Sequence, residues 1–170
     1  MAKMMIRGGD LDLVEYDFPT FPPGKNLKTL GFEKKKYTLK PVKGTVSVKA
    51  PARIHLTVLD MNRFAPDHAG GGGIGFAIQA YCSADVSCTK KEVTVDYDRA
   101  VIIKNFVAVF KKAVGYSGGF KIKITDHKHQ HVGLGSTSTV MIAVATAMNE
   151  AVGSPLTNTQ LRHLIGRNYV

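Results

Sequence analysis

The chain has 170 residues, 44% of them apolar and 21% charged, the balance of one globular domain with an appendage rather than of a disordered segment. No apolar run approaches the ~20 residues of a membrane-spanning helix, and the N-terminus lacks the apolar region of a secretory signal, so a soluble cytoplasmic protein is the expectation. The formal charge of +10, from 23 basic and 13 acidic residues, asks for an anionic partner, either nucleic acid or small phosphates.

Residues 1–34 read as an N-terminal arm. Phe18-Pro19-Thr20-Phe21-Pro22-Pro23-Gly24-Lys25 is punctuated by proline and glycine and has neither strand nor helix periodicity. Such an arm could pack on the domain or join a second subunit in a homo-oligomer. The lysines cluster only at Lys34-Lys35-Lys36, with no interleaving of aromatic and basic residues like that of an RNA-reading strand. From there the chain becomes regular. Residues 37–42, 45–48 and 53–59 alternate apolar and polar side chains, as half-buried strands do. A glycine cluster, Gly70 to Gly73, leads into a strand over 74–81, with shorter strands over 86–89 and 93–97. Cys82 and Cys88, the only cysteines, are too few for a disulfide framework and too far apart for a C-x-x-C site. They read as buried thiols.

Residues 99–114 carry apolar side chains at 102, 103, 106, 109, 110 and 113, one face of a helix, and Gly115 stops it. Residues 120–124 alternate cleanly and form a strand. A helix from about Thr137 to Val152 has Gly153 and Pro155 as stop signals, and its stretch 140–147 reads as a buried face. A last helix opens near Thr157, where Thr157 and Gln160 have capping-box spacing. It meets no stop signal before Val170, which implies that a C-terminal half follows. Strands, helix, strand, helix in that order suggest an α+β layer fold.

The segment His131-Val132-Gly133-Leu134-Gly135-Ser136-Thr137-Ser138 carries the chemistry. Gly133 and Gly135 let the backbone bend tightly and approach a ligand closely. Ser136, Thr137 and Ser138 place hydroxyls at the start of a long helix, where unpaired N–H groups and the helix dipole favour an anion. No lysine follows the glycines, so the loop is not of the G-x-x-x-x-G-K-[ST] type. A glycine turn with a serine N-cap is the simpler alternative.

The order Gly133-Leu134-Gly135-Ser136 resembles the second motif, P-x-x-x-G-L-G-S-S, of the GHMP superfamily of small-molecule kinases. Thr137 stands where the second serine is usual, and the preceding proline is missing. Ala50-Pro51-Ala52-Arg53-Ile54 resembles the first motif. The resemblance covers residues 44–170. It implies a two-layer sandwich of the ribosomal-protein domain 2-like type over residues 35–170, a substrate phosphate on the loop, and magnesium facing Ser136 or Thr137. In the kinases the first motif continues as G-E-H. Here it continues as His55-Leu56-Thr57-Val58-Leu59-Asp60-Met61-Asn62, then the glycine cluster. That is more similar to the β-ribofuranosylaminobenzene 5′-phosphate synthase branch, with R-[IL]-H-L-T-L-[IL]-D-[LM]-N and D-G-G-x-G. Members of that branch condense phosphoribosyl pyrophosphate with 4-hydroxybenzoate or 4-aminobenzoate and release pyrophosphate and carbon dioxide, a step of tetrahydromethanopterin biosynthesis.

The resemblance thus implies a transferase with phosphate contacts from Gly133, Leu134, Gly135, Ser136, Thr137 and Ser138. Arg53 and His55 lie two apart on a strand and share a face. Arg53 would meet a phosphate or an aromatic carboxylate, Asp60 would serve as an acid–base group, and His55 and Asn62 would contact substrate. A surface cation at Arg53 and a turn-former at Asp60 are the structural alternatives. His127, His129 and His131 alternate as strand-face metal ligands can, but with only Asp126 adjoining they read better as a polar rim before the loop. Two other functions compete: an ATP-dependent kinase of the same superfamily, and a basic RNA-binding module, for which the fold alone supplies no warrant.

Overall fold

The computed structural model describes residues 2–8, 11–18, 32, 35–58, 73–127 and 136–167. Two strands, β1 (Ala2–Gly8) and β2 (Leu11–Phe18), pair antiparallel as a two-stranded sheet of their own. The arm expected over residues 1–34 therefore holds a hairpin. Gly8 pairs with Leu11, and the sequence between them is Gly9-Asp10. Glycine followed by aspartate between two apolar-rich runs is a hairpin signal, masked in the sequence by the proline-rich stretch after it. Residues 19–31 lie outside the described residues.

The domain proper is a four-stranded sheet, order β3-β4-β6-β5, formed by β3 (Thr45–Val58), β4 (Gly73–Thr89), β5 (Val93–Asp96) and β6 (Gly119–Thr125). β3, β4 and β6 are antiparallel neighbours. β5 runs parallel to β6, and α1 (Ala100–Val114) makes the crossover that a parallel pair requires. α2 (Ser136–Ala151) and α3 (Asn158–Arg167) follow. The mixed α+β class expected from the sequence is the class observed.

Two expected pairs of strands are single strands. The runs 45–48 and 53–59 join as β3 through Pro51, and the runs 74–81 and 86–89 join as β4. Proline lacks an N–H for the ladder, but β3 is an edge strand, where a missing donor can face away from the sheet. The join is not smooth. Pro51 pairs with Tyr81 and Ala52 with Ile78, a register shift that β4 absorbs. Residues 37–42, read as a strand, are extended but pair with no strand among the described residues. Instead Lys40 N–H and Val42 N–H donate to the carbonyls of Val152 and Ala151 at 2.8 Å each. Pro41 has no donor to offer a sheet edge, and the end of α2 has unpaired carbonyls to fill.

The helices cover one face of the sheet. Phe120, Ile122 and Ile124 of β6 are buried while Lys121 and Lys123 between them are exposed, the alternation of a half-covered sheet. Cys82, Ala84 and Val86 of β4 point the same way. α1 contributes Ile103, Phe106, Val107 and Phe110 to the core, with Phe110 edge-on to Phe120 at 6.2 Å and 71°. α2 is buried over most of its surface: Ala143, Ala145 and Ala147, with Val144 and Met148, let its axis lie close on β3 and β4. Each large side chain so buried contributes about 1.5–3 kcal/mol. The open face is polar, with Thr45 bonded to Ser87 at 2.8 Å and Ser47 donating to Asp85 at 2.6 Å. α1 ends at Gly115, whose φ of 71° is the left-handed cap conformation. α3 opens on the expected capping box: Thr157 N–H donates to Gln160 Oε1 at 2.9 Å, and Gln160 N–H to Thr157 Oγ1 at 3.3 Å.

Candidate functional site at the start of α2

β6 ends at Thr125, Asp126 and His127 follow, and α2 opens at Ser136. Gly133, Leu134 and Gly135, with His129 and His131, lie outside the described residues, as does the side chain of Ser136. Thr137 and Ser138 fall in the first turn of α2 and are exposed. The first turn carries no acidic residue. Its N–H groups and the positive end of the dipole are therefore not neutralised from within the helix.

A polar network stands beside that turn. Arg99, the residue preceding α1, donates from Nη1 to Thr137 Oγ1 at 3.0 Å and from Nη2 to the Tyr97 hydroxyl at 3.3 Å. Tyr97 in turn donates to Asp126 Oδ2 at 2.9 Å. Burial is the main cause that pushes the Tyr97 phenol above its usual range, so it stays neutral and passes the donor chain from guanidinium to carboxylate. Ile102, Ile103, Val140 and Met141 floor a hollow whose rim is Tyr97, Arg99 and Thr137. Sequence reasoning missed Tyr97, Arg99 and Asp126. No spacing rule links residue 99 to residue 137; only the pairing of β5 with β6 and the α1 crossover bring them together.

Arg53 and His55 are exposed on β3, paired with Ala77 and Gly75. Lys49 is in register with Ser83, and Ser83 with the last residue of β6, Thr125. Beyond that level β3 and β4 continue as a two-stranded extension, so Arg53 and His55 stand at the same end of the sheet as the route from β6 into α2. Gly75 belongs to this extension for a steric reason: a Cβ there would come within 2.9 Å of the Ile54 carbonyl oxygen. No hydrogen bond among the described residues joins Arg53 or His55 to Thr137, Ser138 or Arg99. Asp60 and Asn62 lie outside the described residues.

Among the described residues, no group of three or more histidine, cysteine or carboxylate side chains could hold a metal ion. Oxygen donors of the kind magnesium takes are present at the start of α2, but Thr137 Oγ1 already accepts from a guanidinium. A metal cation on that oxygen would meet a fixed positive charge, so of the two hydroxyls expected to face magnesium, Thr137 fits poorly. Cys82 is buried, and desolvation, helped by the charge of Asp126, pushes its thiol up to about 11. Cys88 is half-buried and donates to the Ala151 carbonyl at 3.3 Å.

The fold has known counterparts. Homoserine kinase from Cytophaga hutchinsonii superposes with a TM-score of 0.56 at 20% identity, over 74% of this chain and 41% of that one. A phosphotransferase related to the CoA biosynthesis pathway gives 0.56 at 18%, over 71% and 45%. Mevalonate kinase from Methanococcus jannaschii gives 0.53 at 16%, over 73% and 45%. This chain thus spans less than half the length of these proteins. No curated protein matches it in sequence. Residues 101–169, from α1 through α3, match the family model of the GHMP kinases N terminal domain, and the described sheet and helices have the fold of that domain.

Proposed function

We propose that this domain holds a polyphosphate substrate at the start of α2 within a transferase, and that the substrate is phosphoribosyl pyrophosphate, condensed with a hydroxy- or aminobenzoate. The observation that carries the polyphosphate reading is the first turn of α2, which holds no acidic residue, with the Arg99 guanidinium at 3.0 Å from Thr137. The synthase reading is supported by the run Arg53 to Asn62 and the glycine cluster Gly70–Gly73, which depart from the kinase pattern. Release of both pyrophosphate and carbon dioxide fixes the bookkeeping. The ribose C1–oxygen bond breaks with its electron pair leaving on pyrophosphate. A bond forms from the ring carbon to C1, and the ring carbon–carboxylate bond breaks to restore aromaticity.

Donors at the α2 terminus hold the leaving pyrophosphate as its charge grows, the term that contributes most in such reactions. Arg53 and His55 at the same end of the sheet meet the aromatic carboxylate or ribose phosphate, with Asp60 and Asn62 nearby in sequence as the acid–base and contact groups. Magnesium, held by the substrate's own phosphate oxygens and Ser136, would offset charge on the pyrophosphate.

A second reading, an ATP-dependent small-molecule kinase, is favoured by the likeness to homoserine and mevalonate kinases. Incubation of the chain with phosphoribosyl pyrophosphate, magnesium and 4-hydroxybenzoate or 4-aminobenzoate separates the two. Release of pyrophosphate and carbon dioxide together is the expected result. Tight binding of MgATP with no binding of the sugar pyrophosphate contradicts the synthase reading and leaves the kinase.

A further inference from the structure

Arg99 occupies the N-cap position of α1, a place that favours side chains able to accept from the free N–H groups of the first turn. Arginine has five donors and no acceptor, and it makes no capping bond there. A cation at the positive end of a helix is also unfavourable, and α1 has no acidic residue in its first turn to offset it. For α1 alone, Arg99 is a poor choice. Its side chain instead crosses to α2 and binds the Thr137 hydroxyl.

The network leaves the guanidinium short of negative charge. Nη1 meets a hydroxyl and Nη2 a phenol, while Nε is buried with no hydrogen-bond partner among the described residues. Tyr97 links the guanidinium to Asp126. The positive ends of α1 and α2 and the guanidinium therefore converge, and among the described residues no carboxylate hydrogen-bonds directly to Arg99. Half-buried, unpaired positive charge is destabilising unless an anion joins it.

The bond to Thr137 also has a direction. Thr137 Oγ1 accepts from Arg99, which leaves its own O–H free to turn toward solvent and donate.

On the proposed reading of α2, we infer that Arg99 is a positioning residue of the polyphosphate site: it fixes the Thr137 oxygen as an acceptor, so that the Thr137 proton is presented to the anion. Tyr97 and Asp126 hold the other side of the guanidinium. Thr137 is then an anion-facing donor rather than a magnesium ligand. The stability that α1 forgoes by lacking a capping side chain is exchanged for ligand binding, a local rule broken at a functional site.

Titration calorimetry with inorganic pyrophosphate, phosphoribosyl pyrophosphate and MgATP tests this on the full chain and on R99S, R99K, T137V and R99S/T137V. Arg99→Ser supplies a good N-cap, so its Tm is expected at or above that of the parent while affinity falls about tenfold, the effect of one charge-assisted hydrogen bond. Arg99→Lys, which keeps the charge but replaces the rigid fork with a compact, mobile ammonium, is expected to give intermediate affinity at the parent Tm. R99S/T137V is expected to bind more weakly than T137V by clearly less than the roughly tenfold that R99S alone loses, because part of what Arg99 contributes acts through Thr137. Parent affinity in both Arg99 variants, or full additivity in the double variant, overturns the inference and leaves the reading of α2 standing. A parent chain that binds none of the three probes overturns that reading, and the inference with it.

Discussion

Asn149 is one of two buried polar side chains among the described residues, and both ends of its amide are in use. Nδ2 donates to the Leu156 carbonyl at 2.9 Å, and Leu156 N–H donates to Oδ1 at 3.0 Å. One side chain thus closes the turn from α2 to α3. Asn149→Leu leaves a buried N–H and a buried carbonyl unpaired, each costing about 1–3 kcal/mol. A loss of roughly 2–4 kcal/mol in urea unfolding is expected; a loss below 0.5 kcal/mol (about the effect of an ordinary surface substitution) would show that the turn holds itself. Cys82 makes a second prediction. Burial lifts its thiol from 9.0 to about 11, and burial also raises the Tyr37, Tyr97 and Tyr116 phenols above their usual 10.0. In each case the folded chain keeps a proton that the unfolded chain gives up. Stability is therefore intact below pH 9 and falls as pH rises from about 9 toward 11 and beyond. Tm measured from pH 8 to 10.5 should decline, and Cys82→Ala should flatten the early part of the decline. A level Tm across that range would contradict the burial argument.

At the scale of elements, helices were more legible than strands, and the reason is physical. The apolar positions of α1 and its Gly115 stop depend on local spacing, and the structure keeps them with an end shift of one residue. The Thr157–Gln160 box is likewise a contact between neighbours in sequence. Thr157→Ala is expected to cost about 1 kcal/mol, read as a lower urea midpoint, whereas an unchanged midpoint would mean that α3 needs no cap. Strand limits depend on partners far along the chain. Pro51 looks like a break until β3 is known to be an edge, and residues 37–42 look like a strand until their donors are seen to go to the end of α2. The β1–β2 hairpin had a turn signal at Gly8-Gly9-Asp10 that the proline-rich stretch after it obscured.

At the scale of the whole molecule, the sheet gathers at one end residues that the chain spreads from position 53 to position 138. β5 and β6 deliver Tyr97, Arg99 and Asp126 to the first turn of α2, and the β3–β4 extension carries Arg53 and His55 past the same level. The hydroxyls of that turn were legible because glycines and serines announce a helix start that can hold an anion. Arg99 was not, since an arginine ahead of an amphipathic helix looks like any surface cation until the partner helix is in place. The net charge of +10 now has a local expression, a guanidinium and two helix termini converging where phosphate is proposed to sit. Titration of the ¹⁵N-labelled chain with pyrophosphate, followed by NMR, tests that claim most directly. The backbone amides of Ser136, Thr137 and Ser138 and the Nε–H of Arg99 are expected to shift first and saturate together. Shifts confined to the exposed lysines, with those four resonances unmoved, would contradict it.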